Sequence, residues 1–402
     1  MTICLQNQFE GDIDMLITVN RNKFYTAVQQ VQHAVNSRTP IPILTGILLS
    51  ADENGLILSG SNSDISIQTR IPVMEENRTE EENENEPETF LTVHRPGRVV
   101  LPGRYAAEMI RRLDGDDIII EGLANHTTKI VCGKAEFLLN CMDPEEYPEL
   151  PSFVWPFEDS FELPGHFLKK LIQQTVFAVA ETQSRPILTG VCWESVDGQL
   201  VLTATNSHRL ARRSATFGEL PPMEQAVIPG KSLQELMKLI DDDESVHVAF
   251  TQNQMVVRTV NLLYTSRRLE GFYPDTSRII PQAAKTHVRL SKRMLHDAVD
   301  RAYLFAREIK NNVVKCSLKD NTTLVITADT PSVGQVTETV PIYAAEGELS
   351  HIAFNARYML EALKAIDSED VDLLITGPMS PFIVRPEGDD TLIQLILPVR
   401  TR

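Results

Sequence analysis

The chain repeats itself three times, and this repetition restricts its fold more than any other feature of the sequence. The string PILTG occurs at 42–46 and again, 144 residues later, at 186–190. The segments 56–70 and 200–214 match at the same offset, and a third related segment covers 324–338. Such repetition indicates one structural unit used several times. A chain of 402 residues is long enough for three units of ordinary domain size.

A second repeated segment locates an insertion. LPGRYAAEMIRRL begins at Leu101, IPGKSLQELMKLI at Ile228 and FNARYMLEALKAI at Phe354, at spacings of 127 and 126 residues. The spacing of 127 residues between the first two copies of this segment is shorter than the 144 between the two PILTG strings. The first repeat therefore carries extra residues between its two landmarks, and the acidic run 75–88 accounts for most of them. A segment of this composition cannot bury a core, which predicts a solvated loop. A role in recruiting a partner is the alternative.

A third landmark closes the repeat. EEYPEL at 145–150 matches EGFYPDT at 270–276, whereas the third copy has no counterpart before the chain ends. The first fourteen residues lack the basic start and apolar centre of a signal peptide. We therefore predict a flexible extension and three domains, at 1–14, 15–150, 151–281 and 282–402.

Each repeat has the same predicted elements. Apolar residues recur at spacings of three and four, as in Phe24, Val28, Val31 and Val35, which is typical of an amphipathic helix. Short alternating strands with turn signals follow, then a second helix and further strands. The fold class is α+β, with two helices packed on antiparallel sheets in each domain. The predicted helices cover 20–35, 101–113, 164–180, 229–240, 291–308 and 354–366.

The charge distribution bears on nucleic-acid binding. The net charge of -17 opposes it, but the six predicted helices hold 15 basic and 6 acidic residues, a net of +9. Phosphates could therefore be held along the helices while the rest of the chain repels them. Helix propensity is the alternative explanation, although helices favour Glu about as much as Lys or Arg.

Cysteine usage and motif content exclude several classes of site. The five cysteines are odd in number and lack CxxC spacing, so we predict no disulfide framework, no metal, no cofactor and a cytoplasmic location. No apolar run approaches the roughly 20 residues of a membrane helix. Gly-rich phosphate loops and GxSxG, HExxH and EF-hand motifs are absent. His208, beside Asn206 and Arg209, is the one cluster that suggests catalysis, and no nucleophile can be assigned to it.

These features together resemble one family. The three repeats, TNSHRLA at 205–211, EGFYPD at 270–275 and LPVR at 397–400 are similar to the bacterial sliding clamp, the beta subunit of DNA polymerase III. The resemblance covers 15–402, although the glycine usual before the histidine is Ser207 here. It implies a head-to-tail homodimer that closes into a ring around double-stranded DNA without sequence preference.

The resemblance also implies partners and residue roles. It implies a DNA replication processivity factor without catalysis, associated with the nucleoid, which binds the polymerase III alpha subunit, the clamp loader and other proteins with clamp-binding motifs. The implied DNA-facing residues are Arg38, Arg111, Arg112, Lys169, Lys170, Thr182, Gln183, Ser184, Arg301 and Arg307. The implied dimer interface comprises Phe137, Leu304 and Phe305. The implied peptide pocket, between the second and third domains, comprises Arg185, Leu188, Thr205, Ser207, His208, Arg209, Leu210, Pro274, Arg278, Ile279, Asn355, Tyr358, Met379, Leu395, Leu397, Pro398, Val399 and Arg400.

Two other functions stay open from the residues themselves. One is an enzyme of nucleotide or DNA metabolism with a site near His208, which would lose turnover on His208→Ala. The other is a repeat scaffold with no role on DNA.

Overall fold

The computed structural model describes the chain except for residues 1–12, 37, 75–87, 151–156, 158, 183, 219, 309, 333, 349–350 and 401–402. Its strands, in chain order, are β1 Ile13–Asn20, β2 Gly46–Asp52, β3 Gly55–Ser61, β4 Ile65–Pro72, β5 Leu91–Arg95, β6 Gly97–Pro102, β7 Asp117–Leu123, β8 Thr127–Cys132, β9 Ala135–Asn140, β10 Phe161–Pro164, β11 Gly190–Val196, β12 Gln199–Thr205, β13 Arg209–Ala215, β14 Ala226–Pro229, β15 Ser245–Phe250, β16 Gln254–Arg258, β17 Leu262–Arg267, β18 Thr286–Ser291, β19 Val313–Asp320, β20 Thr323–Thr330, β21 Gly334–Pro341, β22 Ala344–Glu346, β23 Ile352–Asn355, β24 Asp370–Ile375, β25 Phe382–Pro386 and β26 Leu392–Ile396.

All six predicted helices are present, each shorter than its apolar period suggested. The second half of the predicted helix 164–180 is wrong, because that helix ends at Gln173 and a 3₁₀ turn follows at Val176–Ala178. The Thr175 hydroxyl donates to the carbonyls of Leu171 and Ile172, and such a bond competes with further helical pairing. The helices are α1 Arg21–Gln32, α2 Gly103–Arg111, α3 Gly165–Gln173, α4 Gly230–Leu239, α5 Lys292–Ala306 and α6 Ala356–Lys364.

A strand precedes the first helix of every repeat, so the prediction that a helix opens each repeat is wrong. The strands β1, β10 and β18 occupy these places. In β1, Met15, Ile17 and Val19 are buried in alternation, which is the period of a strand. Residues 13 and 14 lie in β1, so the predicted extension is too long by two residues, and 1–12 lie outside the described residues. The acidic run lies outside them too, except Glu88.

A Pro-Gly pair begins three of the helices for a steric reason. At α2, Pro102 is the N-cap and Gly103 the first helical residue. A Cβ on Gly103 would lie 2.8 Å from the carbonyl oxygen of Thr45, closer than real Cβ contacts come. The glycine therefore lets the helix start close to the preceding backbone.

The chain divides into two compact units. The first contains residues 1–160 and 245–267. It has a five-stranded sheet in the order β5-β1-β7-β8-β9 and a second sheet in which β15-β16-β17-β4-β3-β2-β6 are neighbours. The second unit contains residues 161–244 and 268–402. It has a nine-stranded sheet, β14-β11-β12-β13-β26-β25-β24-β18-β22, and a four-stranded sheet, β21-β20-β19-β23. Strand pairing is antiparallel in each.

Successive repeats are joined by equivalent strand pairs. In the first unit β4, from the first repeat, pairs with β17, from the second. In the second unit β13, from the second repeat, pairs with β26, from the third. The first unit therefore takes β15, β16 and β17 from the predicted middle domain, and the boundaries at 150/151 and 281/282 stay predictions. No helix in the described chain is long and apolar enough to cross a membrane.

Candidate functional site

The floor of the predicted peptide pocket is a row of side chains across three strands. Thr205 of β12 is directly opposite Leu210 of β13, which is opposite Leu395 of β26. Each is at most 5% exposed. Neighbouring residues in such a register share one face of the sheet, so the three form a continuous surface. Leu210 and Leu395 therefore belong to the core beneath the predicted pocket.

The turn before β13 holds His208 outward. The Asn206 side-chain oxygen accepts hydrogen bonds from the backbone N–H groups of His208 and Arg209, at 3.0 and 3.1 Å. The Thr205 hydroxyl donates to the Arg209 carbonyl at 2.6 Å. Ser207 has a φ of +73°, in the left-handed region that favours glycine. This backbone angle explains why glycine is usual at the position, and why a serine there needs the surrounding bonds.

The C-terminal segment is bound to this turn. The Leu397 N–H donates to the His208 carbonyl at 3.0 Å, and the Val399 N–H donates to the Ala353 carbonyl at 2.7 Å. Leu397, Pro398 and Val399 are half-buried, and Arg400 is exposed. The segment thus forms a wall beside the floor row.

The Arg209 side chain is engaged in contacts within the protein and is not free to bind a ligand. Its guanidinium donates to the Glu361 carboxylate and to the Phe177 carbonyl. It also lies over the rings of Tyr358 and Phe177, 4.5 and 5.2 Å from their centroids. Since the residue is 5% exposed, it holds α6 to the 3₁₀ turn at Val176–Ala178 and has little surface for a ligand.

Tyr273 attaches the connector between the second and third repeats to the floor. Its hydroxyl oxygen accepts a hydrogen bond from the Thr205 N–H at 3.0 Å. Its ring packs in a buried cluster with Leu188, Cys192 and Val227. Burial raises the pKa of Tyr273 well above its ordinary value. The sequence motif contains this tyrosine, but the predicted pocket omitted it.

The other predicted pocket residues differ in accessibility. Ile279 and Met379 are 42% and 55% exposed, so they offer apolar surface. Asn355 is buried and caps α6, accepting from the Arg357 N–H at 3.0 Å. Three further predicted residues lie at the surface, where none is hydrogen-bonded to the floor row within the described chain: Arg185, Pro274 and Arg278.

Most of the predicted DNA-facing cations already have acidic neighbours. Arg111 and Arg112 both contact Glu108, and these guanidinium groups hold the pKa of Glu108 below its ordinary value. Arg301 makes a bidentate contact with Glu338, both bonds 2.8 Å long. The remaining pairs are Lys169–Asp242, Lys170–Asp367 and Arg307–Glu308. Thr182 and Ser184 are exposed, Arg38 has no carboxylate within 4.0 Å among the described residues, and Gln183 lies outside them.

The predicted interface residues do not share one environment. Leu304 is 53% exposed, whereas Phe305 packs against the core of the third repeat. Phe137 is half-buried on β9, and its neighbour Leu138, which the sequence reasoning missed, is 65% exposed. β9 and β21 are edge strands, each without a second neighbour in the described chain.

Comparisons with known proteins cover nearly all of this architecture. Models of the DNA polymerase III beta subunit match in order: its N-terminal domain at 15–151, its central domain at 162–275 and its C-terminal domain at 277–400. The beta sliding clamp of Bacillus subtilis (strain 168) is 42% identical over 390 residues, 96% of this chain and 100% of that protein. This chain belongs to the beta sliding clamp family.

Further sliding clamps agree. The beta sliding clamp of Staphylococcus aureus (strain Mu50) is 39% identical over 388 residues, 96% of this chain and all of that one. The crystal structure of the Bacillus subtilis sliding clamp superposes with a TM-score of 0.91 and covers 97% of this chain and 100% of that chain. The clamp resemblance and the α+β class are thereby confirmed, and this chain is a DNA polymerase III sliding clamp.

The surroundings of His208 bear on the enzyme alternative. Within the described chain, no hydrogen bond joins the His208 ring to a serine, a cysteine or a carboxylate. No group of His, Cys, Asp and Glu side chains in the same residues is arranged to hold a metal ion. The four described cysteines are free thiols.

Removing the Tyr273 hydroxyl should destabilise the groove. Tyr273→Phe leaves the buried Thr205 N–H without its acceptor, and we expect the free energy of unfolding in urea to fall by about 1–3 kcal/mol. Tyr147→Phe is the matched control, since Tyr147 donates to the Ser59 carbonyl at a longer 3.3 Å and a smaller loss is expected. Because the folded-state pKa of Tyr273 is raised, its contribution is present below about pH 10 and lost at higher pH. An unchanged free energy for Tyr273→Phe would contradict this role.

Proposed function

We propose that two copies of this chain close head-to-tail into a ring that encircles double-stranded DNA. The supporting observation is the pattern of repeat joints. β4 pairs with β17 and β13 pairs with β26, and the equivalent strands left over are β21 of the third repeat and β9 of the first. Pairing β21 of each chain with β9 of its partner repeats the same joint and leaves neither of these edges open.

The ring holds DNA by topology, and its ionic contacts are weak. Exposed ion pairs such as Lys170–Asp367 contribute about 0–1 kcal/mol, so a phosphate can replace the carboxylate at little net change in free energy. Contacts of this kind carry no base information and allow the ring to slide. An acidic protein can therefore remain on DNA without binding it tightly.

The groove built on Thr205, Leu210 and Leu395 is the proposed docking site for partners. Apolar anchors of a peptide, such as a Leu-Phe pair, would cover Ile279, Met379 and Leu397, and the polar groups of His208 and Arg400 would orient a glutamine. The partners are the polymerase III alpha subunit, the clamp loader and other proteins with such motifs. Tethering raises the polymerase concentration at the primer end, so the chain acts as a cytoplasmic processivity factor without catalysis of its own.

Retention on DNA tests the ring directly. Protein loaded by its clamp loader onto nicked circular DNA should remain bound after gel filtration, and linearising the circle should release it. A scaffold without a DNA role would be retained on neither, and an enzyme near His208 would show turnover that His208→Ala removes. Equal retention on circular and linear DNA would contradict encirclement.

Removing cations tests the proposed DNA-facing surface. Arg38→Ala combined with Lys169→Ala and Lys170→Ala should reduce loading, and the salt dependence of binding should weaken by a slope of about one for each phosphate that the variant no longer binds. Lys319→Ala, at an exposed position on β19 and outside the six helices, is the matched control. An unchanged salt slope in the triple variant would place the DNA elsewhere.

A further inference from the structure

A cavity of about 790 Å³ lies over the same strands as the predicted peptide pocket. Its floor includes Thr203, Arg212 and Ile393, which are directly opposite one another on β12, β13 and β26. Each lies two residues from a member of the first floor row, so the second row lies about 7 Å further along the same face. Pro274 of the connector lines the cavity and also belongs to the predicted pocket.

The second row contains polar groups without partners. The Thr203 hydroxyl oxygen is buried in a residue that is 2% exposed, and it has no hydrogen-bond partner within the described chain. Arg212 is half-buried, and no carboxylate of the described residues lies within 4.0 Å of its guanidinium. A buried hydroxyl left this way is costly unless a ligand satisfies it, and the guanidinium adds a positive charge that no neighbouring carboxylate compensates. Both can donate hydrogen bonds, so the ligand must carry an acceptor.

Three acidic residues also line the cavity and limit where that acceptor can lie. Asp275 of the connector is exposed, and its carboxylate lies 3.5 Å from the Arg278 guanidinium. Glu194 is opposite Val201, one row beyond Thr203, and Asp390 is exposed. Arg385 lines the cavity as well, and its Nε lies 3.8 Å from a carboxylate oxygen of Asp372. The place for an acceptor is therefore beside Arg212 and Thr203, next to the apolar floor.

The first repeat has different residues in the same row. There the register places Leu48, Ser59 and Gln68 opposite one another, at the positions of Cys192, Thr203 and Arg212. Leu48 is 8% exposed and packs against Tyr147. In the second repeat the smaller Cys192 replaces the leucine, and a cation replaces the uncharged Gln68. The cavity beside Cys192 and the positive charge of Arg212 therefore both occur in the second repeat, which also contributes the proposed peptide site.

We propose that Arg212 and Thr203 bind an acidic side chain that follows the apolar anchors of a docked peptide. This inference rests on the proposed peptide site. Along β13 the order is His208, Leu210 and Arg212, which matches a glutamine, then a Leu-Phe pair, then an acid. An extended peptide advances about 3.3 Å per residue and returns to the same face every second residue. The acid is therefore expected two positions after the phenylalanine.

Fluorescence anisotropy with a matched pair of amidated peptides tests this. The probes are Gln-Leu-Ala-Leu-Phe-Gly-Glu and the same peptide ending in Gln. The Glu peptide should bind the full-length protein about tenfold more tightly, as expected for one charge-assisted hydrogen-bonded contact. Arg212→Gln should remove that difference, Arg212→Lys should keep part of it, and Lys231→Gln, a control for net charge, should keep all of it.

Other outcomes separate this inference from the proposed function. Equal affinity of the two peptides for the parent protein, or a difference that survives Arg212→Gln, overturns the acidic subsite and leaves the groove intact. Failure of both peptides to bind overturns the groove and the subsite together. If an unamidated peptide ending at Leu-Phe gains Arg212-dependent affinity and the Glu peptide does not, the ligand is a chain terminus and the side-chain proposal is wrong.

Discussion

A chain that ends at Ile396 is expected to bind clamp-binding peptides about 100-fold or more weakly than the full chain. The truncation removes the wall formed by 397–400 and the two backbone hydrogen bonds that attach it, from Leu397 to His208 and from Val399 to Ala353. It also exposes the apolar floor to water at one side. Anisotropy with a labelled Leu-Phe peptide measures the loss.

Ending the chain at Ile396 removes one wall of the proposed groove and leaves the strands intact. β26 ends at Ile396, so its pairing with β13 and β25 is kept. A chain that ends at Arg400 is the matched control and should bind normally. Both chains should keep the oligomeric mass of the parent, because β9 and β21 are untouched. Native peptide affinity in the shorter chain would show that the groove is misplaced.

Leu304→Asp is expected to convert the dimer into a folded monomer. Leu304 is 53% exposed on α5, a helix that packs on β20 and the edge strand β21. A carboxylate there would be buried on pairing with β9 of the partner, and burying an unpaired charge costs several kcal/mol. Light scattering after gel filtration should give one chain of 45.1 kDa instead of two.

Phe305→Ala is the control for Leu304→Asp, because Phe305 packs inside the third repeat. Its ring is partly buried against the core of the third repeat, so Phe305→Ala should lower the free energy of unfolding by about 1–3 kcal/mol. Leu304→Asp should still give a chain that unfolds cooperatively, at a temperature below that of the parent only by the stabilisation that dimerisation supplies. A stable dimer carrying Leu304→Asp, or an unfolded chain, would contradict the proposed interface.

The sequence by itself determined the repeats, the fold class and the number of helices. These depend on local periodicity and on motif spacing, which a single chain displays directly. Thus α1 follows from the spacing of Phe24, Val28 and Val31, and the Pro-Gly pairs mark where helices begin. Strands such as β10 were missed because a run of four residues before a helix carries too little period to be recognised.

Only the tertiary structure determined which side chains are accessible to a ligand. Arg209 and Tyr273 lie in sequence motifs that mark the site, but only the fold shows that both are buried in contacts that support it. Two of the predicted DNA-facing cations, Lys169 and Lys170, are paired with carboxylates distant in sequence, Asp242 and Asp367. Arg212 had no motif to mark it, and its exposure to a cavity follows from strand register. Whether a side chain is free to bind a ligand depends on contacts with residues distant in sequence, and the local sequence pattern does not specify those contacts.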